Sequence, residues 1–261
     1  MNKREAKIFD IAKKFRNLKY KLTNFYEYQL KVNYKHILIV GDTHTFLGQE
    51  VINRFKETWQ IANIHSKIND QCNFNLQIQF DDINRPPLNK EQVEQLEEKL
   101  KTFSKHYECV LFLPQQYNVK NDIKNESIFQ EYEQERASNV EPAILASYLA
   151  TKYLTNNGSL IFLGDYQSFS NPSQEQITYG LAQNQINLLN LNLGDRELIS
   201  VDSFTLNLLQ NEKQEDQEQY EKETKQIANY IKKWADGLSR PISGTYVKFN
   251  NKNGFVYPEL L

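Results

Sequence analysis

A phenol and a carboxamide four residues apart, Tyr179 and Gln183 in the segment Tyr179-Gly180-Leu181-Ala182-Gln183, have the spacing of an acid–base pair. Residues i and i+4 share one face of a helix, so the two side chains stand side by side if this segment is helical. A tyrosine in such a place can deliver a proton to a substrate, provided a neighbouring cation keeps it acidic. With a pKa of about 10, only roughly one phenol in a thousand is ionised at pH 7 without that help. Glutamine donates hydrogen bonds but carries no charge. The pair itself supplies no cation, and Lys152 is a candidate to supply one.

The elements that must position this pair are legible as alternating apolar runs and helical periods. His36-Ile37-Leu38-Ile39-Val40 reads as a strand ending at Gly41, followed by a helix around Val51, Ile52 and Phe55. Ile61–Ile64, Leu76–Phe80, Cys109–Leu113 and Leu160–Leu163 read as further strands. Asn89–Phe103, Pro142–Leu154, Tyr179–Leu193 and Ile227–Trp234 have helical spacing, and residues 211–225 read as a solvated loop or helix face. A late strand is expected over Gly244–Phe249, with a turn at Asn251–Gly254. Strands alternating with helices predict an α/β domain of the Rossmann type, a doubly wound parallel sheet, over residues 35–261.

The whole chain narrows the function classes. Its 261 residues, 39% hydrophobic, suit one α/β domain with an ordinary core. With 31 Lys+Arg against 33 Asp+Glu, no general electrostatic grip on nucleic acid is expected. No run of about 20 apolar residues marks a membrane span. Cys72 and Cys109 lack metal-ligand or CxxC spacing and read as inert thiols of a reducing compartment, and His36, His44, His65 and His106 form no zinc pattern. Residues 1–34 differ: Lys3, Arg4, Lys7, Lys13, Lys14, Arg16 and Lys19 interleave with Ile8, Phe9, Ile11, Phe15 and Leu18. That basic amphipathic pattern fits an organelle-targeting segment, a membrane-surface contact or a docking helix, as well as a solvated helix packed on its own domain. The expectation adopted is an N-terminal helical extension that meets partner subunits.

Several segments together resemble the dihydropteridine reductases, a branch of the short-chain dehydrogenase/reductase superfamily. They are the helix Ala146–Leu154, the strand Gly158–Gly164, the Tyr179-Gly180-Leu181-Ala182 start and the ending Arg240-Pro241-Ile242-Ser243-Gly244, and the likeness covers about residue 36 to the C-terminus. The resemblance implies NADH-dependent reduction of quinonoid dihydropteridine. It also implies dimers packed through the two long helices, Pro142–Leu154 and Tyr179–Leu193, although Ile186, Leu188, Leu189 and Leu193 are expected more in the core than in an interface. A lysine is implied where Gln183 stands, and Asn139 matches the superfamily's supporting asparagine.

Position by position, the cofactor site departs from the pattern. The phosphate-binding turn reads Gly41-Asp42-Thr43-His44-Thr45-Phe46-Leu47-Gly48, one residue longer than the family's, with Phe46 in the place of a small residue and Asp42 as a repulsive acid. His65 stands where an acid should hold the adenosine ribose, with Asp70 as a substitute from further along the loop. Pro114-Gln115-Gln116-Tyr117 replaces a small turn, Gly164-Asp165-Tyr166 replaces small residues opposite the tyrosine, and Val201–Thr205 is taken as the loop after the sixth strand. A dinucleotide cleft filled by Phe46, Tyr117 and Tyr166 is the picture expected. Three functions stay open: a pseudoenzyme serving as a structural or accessory subunit of a larger assembly, with no cofactor expected; an NADH-dependent 6,7-dihydropteridine reductase with a Tyr-xxx-Gln site; and a protein that binds a nucleotide for a regulatory or structural purpose without turnover. For the first, a mitochondrial respiratory-chain complex is the expected home, and the cytoplasm or a cytoskeletal or axonemal assembly the alternative.

Overall fold

The computed structural model describes residues 34–261 except 81, 83, 116–127, 166–176, 195–201, 209–216, 253–254 and 261, and these residues belong to one compact unit, Lys35–Leu261, preceded by Tyr34. Residues 1–33 of the extension, Gln116, Tyr117, Tyr166, residues 211–216 of the polar 211–225 stretch and residues 253–254 of the expected Asn251–Gly254 turn lie outside the described residues, while Asn251 and Lys252 belong to a strand.

Eight strands form one sheet: β1 (Lys35–Gly41), β2 (Trp59–His65), β3 (Phe74–Gln77), β4 (Tyr107–Leu113), β5 (Leu154–Asp165), β6 (Asp202–Leu208), β7 (Tyr246–Lys252) and β8 (Phe255–Leu260). Their order is β3-β2-β1-β4-β5-β6-β7-β8, all parallel except the β7–β8 pair. The helices are α1 (Phe46–Phe55), α2 (Lys90–Phe103), α3 (Ile128–Glu135), α4 (Glu141–Tyr153), α5 (Ile177–Gly194) and α6 (Gln217–Ala235), with a π-helical turn, Arg136–Val140, joining α3 to α4. This is the doubly wound parallel sheet that the alternation predicts.

Side chains of β1 show why both faces must be covered. Ile37 and Ile39 enter a core with Val51, Ile52 and Phe55 of α1 and Ile231 and Trp234 of α6. Leu38 and Val40, pointing the other way, meet Leu96 and Leu100 of α2, Ala146 and Leu149 of α4 and Ile186 of α5. A strand buried on both faces reads as an unbroken apolar run, which is how β1 and β4 are recognisable in the sequence. Helix starts obey local chemistry as well. Asn89 caps α2 in a reciprocal capping box with Gln92, and Pro142 sits in the first turn of α4, where its missing N–H costs nothing.

Three segments depart from expectation. Asp202–Leu208 is not a loop but β6 itself, hydrogen-bonded between β5 and β7. Its Asp202, Ser203, Thr205 and Asn207 break the apolar run by which interior strands are found. The charged stretch from Gln217 continues without interruption into the apolar period, making one helix of 19 residues. Strand β5 begins at Leu154, well before Leu160, and an irregularity between Tyr107 and Cys109 lets it stay paired with β4.

Candidate functional site

The carboxyl ends of β1, β2, β4 and β5 define the edge where a doubly wound sheet holds a ligand. The β1–α1 turn opens with Gly41 at φ 128°, beside Leu113 across the β1–β4 register, where an added Cβ would come within 1.8 Å of the Leu113 carbonyl oxygen. At Gly48 an added Cβ would lie 2.7 Å from Cα of Thr43. Both glycines therefore exist so that the protein's own backbones can touch. The position that faces a phosphate in this motif is the middle one, occupied by Phe46. Its ring is half-buried against Tyr220 of α6, centroids 5.8 Å apart. Phe46 thus packs against a neighbouring helix, while Tyr117 and Tyr166, expected to fill the cleft with it, lie outside the described residues.

Several of the turn's polar groups bond within the chain. Asp42 Oδ1 accepts the backbone N–H of His44 at 2.8 Å, and the Thr45 hydroxyl accepts that of Gly48 at 3.0 Å, capping α1. Beneath them lies a buried network. Asn63 Nδ2 donates to the carbonyls of Ile39 and Gly41, both at 3.2 Å, while the Thr43 hydroxyl donates to Asn63 Oδ1 at 3.3 Å. Asn69 Nδ2 reaches the Thr43 hydroxyl at 3.2 Å, and Gln49 Nε2 donates to the Thr43 carbonyl at 2.8 Å. Thr43 and Asn69 carry no sequence signal of this role. Asn63 does, as the polar residue inside the apolar run Ile61–Ile64.

His65 ends β2 as expected, half-exposed, with Nδ1 accepting the Lys67 N–H at 3.3 Å and its ring 6.5 Å from that of His44. Two imidazoles therefore stand where a ribose-binding acid is implied. Asp70 is exposed on the loop beyond.

Tyr179 and Gln183 come together as the spacing predicts, on the buried face of α5, each 1% exposed. The same face carries Asn187 and Asn190, which tie α5 to the start of β7. Asn190 Nδ2 donates to the Thr245 carbonyl at 3.2 Å, and the Tyr246 hydroxyl donates to the Asn187 carbonyl at 2.9 Å. Lys152 does not restore the missing charge. Its Nζ lies 2.7 Å from Glu97 Oε1 on α2 and 4.5 Å from the ring centre of Tyr148, on the helical layer between α2 and α4.

Asn139 is buried and bonded to the segment after β4. It lies on the π turn, an irregularity common at functional sites. Its Oδ1 accepts the Gln115 N–H at 2.8 Å, just past β4, and its Nδ2 donates to Glu135 Oε2 at 2.7 Å. Burial raises the Glu135 pKa above the usual carboxylate value, against the lowering effect of the Asn139 hydrogen bond. Glu135 is a titratable group of this edge that no sequence signal marks. Both cysteines are buried free thiols, each pushed up to about 12 by burial. Among the described residues no cluster of metal-ligating side chains occurs, and no helix is long and apolar enough to cross a membrane.

No family model matches the sequence, and no curated protein matches it. Solved structures do match in fold. A short-chain dehydrogenase from Burkholderia cenocepacia in complex with NADP aligns at TM-score 0.64 and 12% identity, over 82% of this chain and 95% of that one. A short-chain dehydrogenase/reductase from Serratia marcescens aligns at TM-score 0.62 and 12% identity over the same shares. A dehydrogenase/reductase from Sinorhizobium meliloti aligns at 0.61 and 13%, over 82% and 92%. The fold is that of the short-chain dehydrogenase/reductases. In the β1–α1 turn, where such a fold presents backbone N–H groups to a pyrophosphate, Asp42 brings a carboxylate that accepts the His44 N–H.

Proposed function

We propose that this chain is a non-catalytic protein built on the short-chain dehydrogenase/reductase fold, acting as a structural or accessory subunit of a larger assembly. The observation that carries this reading is the β1–α1 turn, which keeps the glycines needed for its own packing and has Phe46 and Asp42 where a phosphate would be received. The neutral Gln183 beside Tyr179, and Lys152 held by Glu97, support it further. Each lost charged or close-approach contact is worth about 1–3 kcal/mol. Three such losses weaken a dinucleotide by a factor of roughly 10² to 10⁶.

In this reading the extension 1–34 engages partner subunits, and a second copy of the chain packs through the helix pair α4 and α5, where Leu181 and Leu188 are exposed. A mitochondrial respiratory-chain complex is the home proposed first, with the cytoplasm or a cytoskeletal or axonemal assembly as the alternative. Subcellular fractionation separates them.

The rival reading, an active NADH-dependent 6,7-dihydropteridine reductase, is favoured by the fold and by Asn139, which still anchors the chain beyond β4. Titration of the full chain with NADH and with NADPH distinguishes the two. No saturable binding is expected up to about 1 mM, the limit set by a loss of several kcal/mol. Micromolar binding together with a dihydropteridine reductase rate that Tyr179→Phe abolishes would establish the enzyme instead.

A further inference from the structure

On the helical layer, away from the sheet edge, α2 and α4 leave a groove of about 490 Å³ between them, lined chiefly by Leu88, Val93, Ile144, Leu145 and Tyr148. Small-molecule sites have volumes of about 300–1,000 Å³ and mostly apolar walls. Cross-links hold this one open. Glu141 of α4 accepts the Leu88 N–H through Oε1 and pairs with Arg85 through Oε2, both at 2.9 Å, which fixes the end wall. The capping box of Asn89 and Gln92 fixes the first turn of α2. Further along, Glu97 clasps Lys152 and the Tyr153 hydroxyl, each at 2.7 Å, joining the two helices. A ligand entering here meets a preformed surface, and little ordering is lost on binding.

The charges on the lining decide which ligand fits. Glu141 is neutralised by Arg85, Lys152 by Glu97, and Lys90 faces Glu94 at 3.7 Å. An ionic group placed between the walls would give up hydration with no unmatched charge to receive it. We propose that the α2–α4 groove binds an uncharged, largely apolar small molecule, its body against Ile144, Leu145 and Tyr148. The assignment holds whether or not the chain binds a dinucleotide at the sheet edge.

The test is a fluorescence titration of the full chain with Nile red, a neutral apolar dye, in parallel with an anionic naphthalene sulfonate. Saturable binding of one Nile red per chain is expected, with at least about tenfold weaker binding of the anionic dye, a difference of ~1.4 kcal/mol. Ile144→Lys places a cation in the groove and weakens Nile red by about tenfold or more. Ile144 is half-exposed, so an unchanged melting temperature shows that the fold survives. Leu188→Lys, on the exposed side of α5, leaves dye binding unaltered. Non-saturable binding, equal preference for the anion, or equal losses in both variants overturns the proposal. So does Nile red binding that disappears as sedimentation shows the chain pairing with itself, because a second copy would then fill the groove.

Discussion

Glu97 lies almost buried between α2 and α4 and is nevertheless held in its charged form. Burial raises its pKa, but hydrogen bonds from Lys152, Tyr148 and Tyr153 and the Lys152 charge outweigh that, leaving it at about 2 against an ordinary 4.5. A carboxyl whose pKa is depressed on folding contributes stability above its unfolded value, and that stability is lost as pH falls through the folded value. The window here runs from about pH 4.5 down to about 2. Glu97→Gln should therefore lower stability at neutral pH and flatten the acid limb of the stability profile. A full shift of this size corresponds to ~3 kcal/mol. Because Lys152 is 43% exposed and can turn to water, about 2 kcal/mol is the expected loss in urea melts at pH 7. A variant that melts like the parent at pH 7 and at pH 3 refutes the clasp. Gln183 gives the opposite kind of prediction. Restoring a lysine beside Tyr179 puts an ammonium at a site 1% exposed, so Gln183→Lys should cost about 3 kcal/mol and should not create reductase activity. A stable, active Gln183→Lys chain would show that this site needs only its charge back.

The β1–α1 turn is decided at the level of elements, by two strands and a loop sharing one asparagine. Removing the Asn63 side chain leaves the Gly41 carbonyl and the Thr43 hydroxyl short of partners inside the protein, at a cost of about 2–3 kcal/mol. Asn63→Ala should accelerate amide hydrogen exchange across residues 42–48 while leaving β5 unaffected; uniform acceleration would mean that the network is not local to the turn. The same elements mark how far the sequence speaks. β1, α2 and its cap are legible because apolar runs and an Asn-to-Gln spacing act locally. β6 is not read as a strand, although Ser203-Phe204-Thr205-Leu206-Asn207-Leu208 alternates as a strand does, because the family resemblance places a loop at Val201–Thr205. At the candidate site the pairing of Tyr179 with Gln183 follows from helical spacing. The engagement of Lys152 by Glu97, 55 residues away, and the sideways packing of Phe46 depend on tertiary contacts that no local pattern encodes.

At the scale of the whole molecule, α5 is the unusual surface. Its 18 residues include no charged side chain, yet only one side faces the sheet. Tyr179, Gln183, Ile186 and Asn190 are buried, while Ile177, Leu181, Leu188 and Leu191 form an exposed stripe on the opposite side. This corrects the expectation for Leu188, placed with the core by its apolar character; Ile186 is core, and Leu189 and Leu193 pack on it. A helix facing water ordinarily carries charge on its outer side, and contiguous apolar patches mark contact surfaces. If a second copy covers this face, the pair Leu181→Glu and Leu188→Glu buries up to four like charges across a two-fold interface. Self-association should then weaken by at least about 100-fold, from ~3 kcal/mol or more of desolvation and repulsion, with the melting temperature of the monomer kept. Sedimentation over a hundredfold range of concentration reads this directly. Parent and double variant that are both monomeric throughout would remove the second copy as occupant and leave the face to a different subunit, while an unchanged dimer in both would place self-association on some other surface.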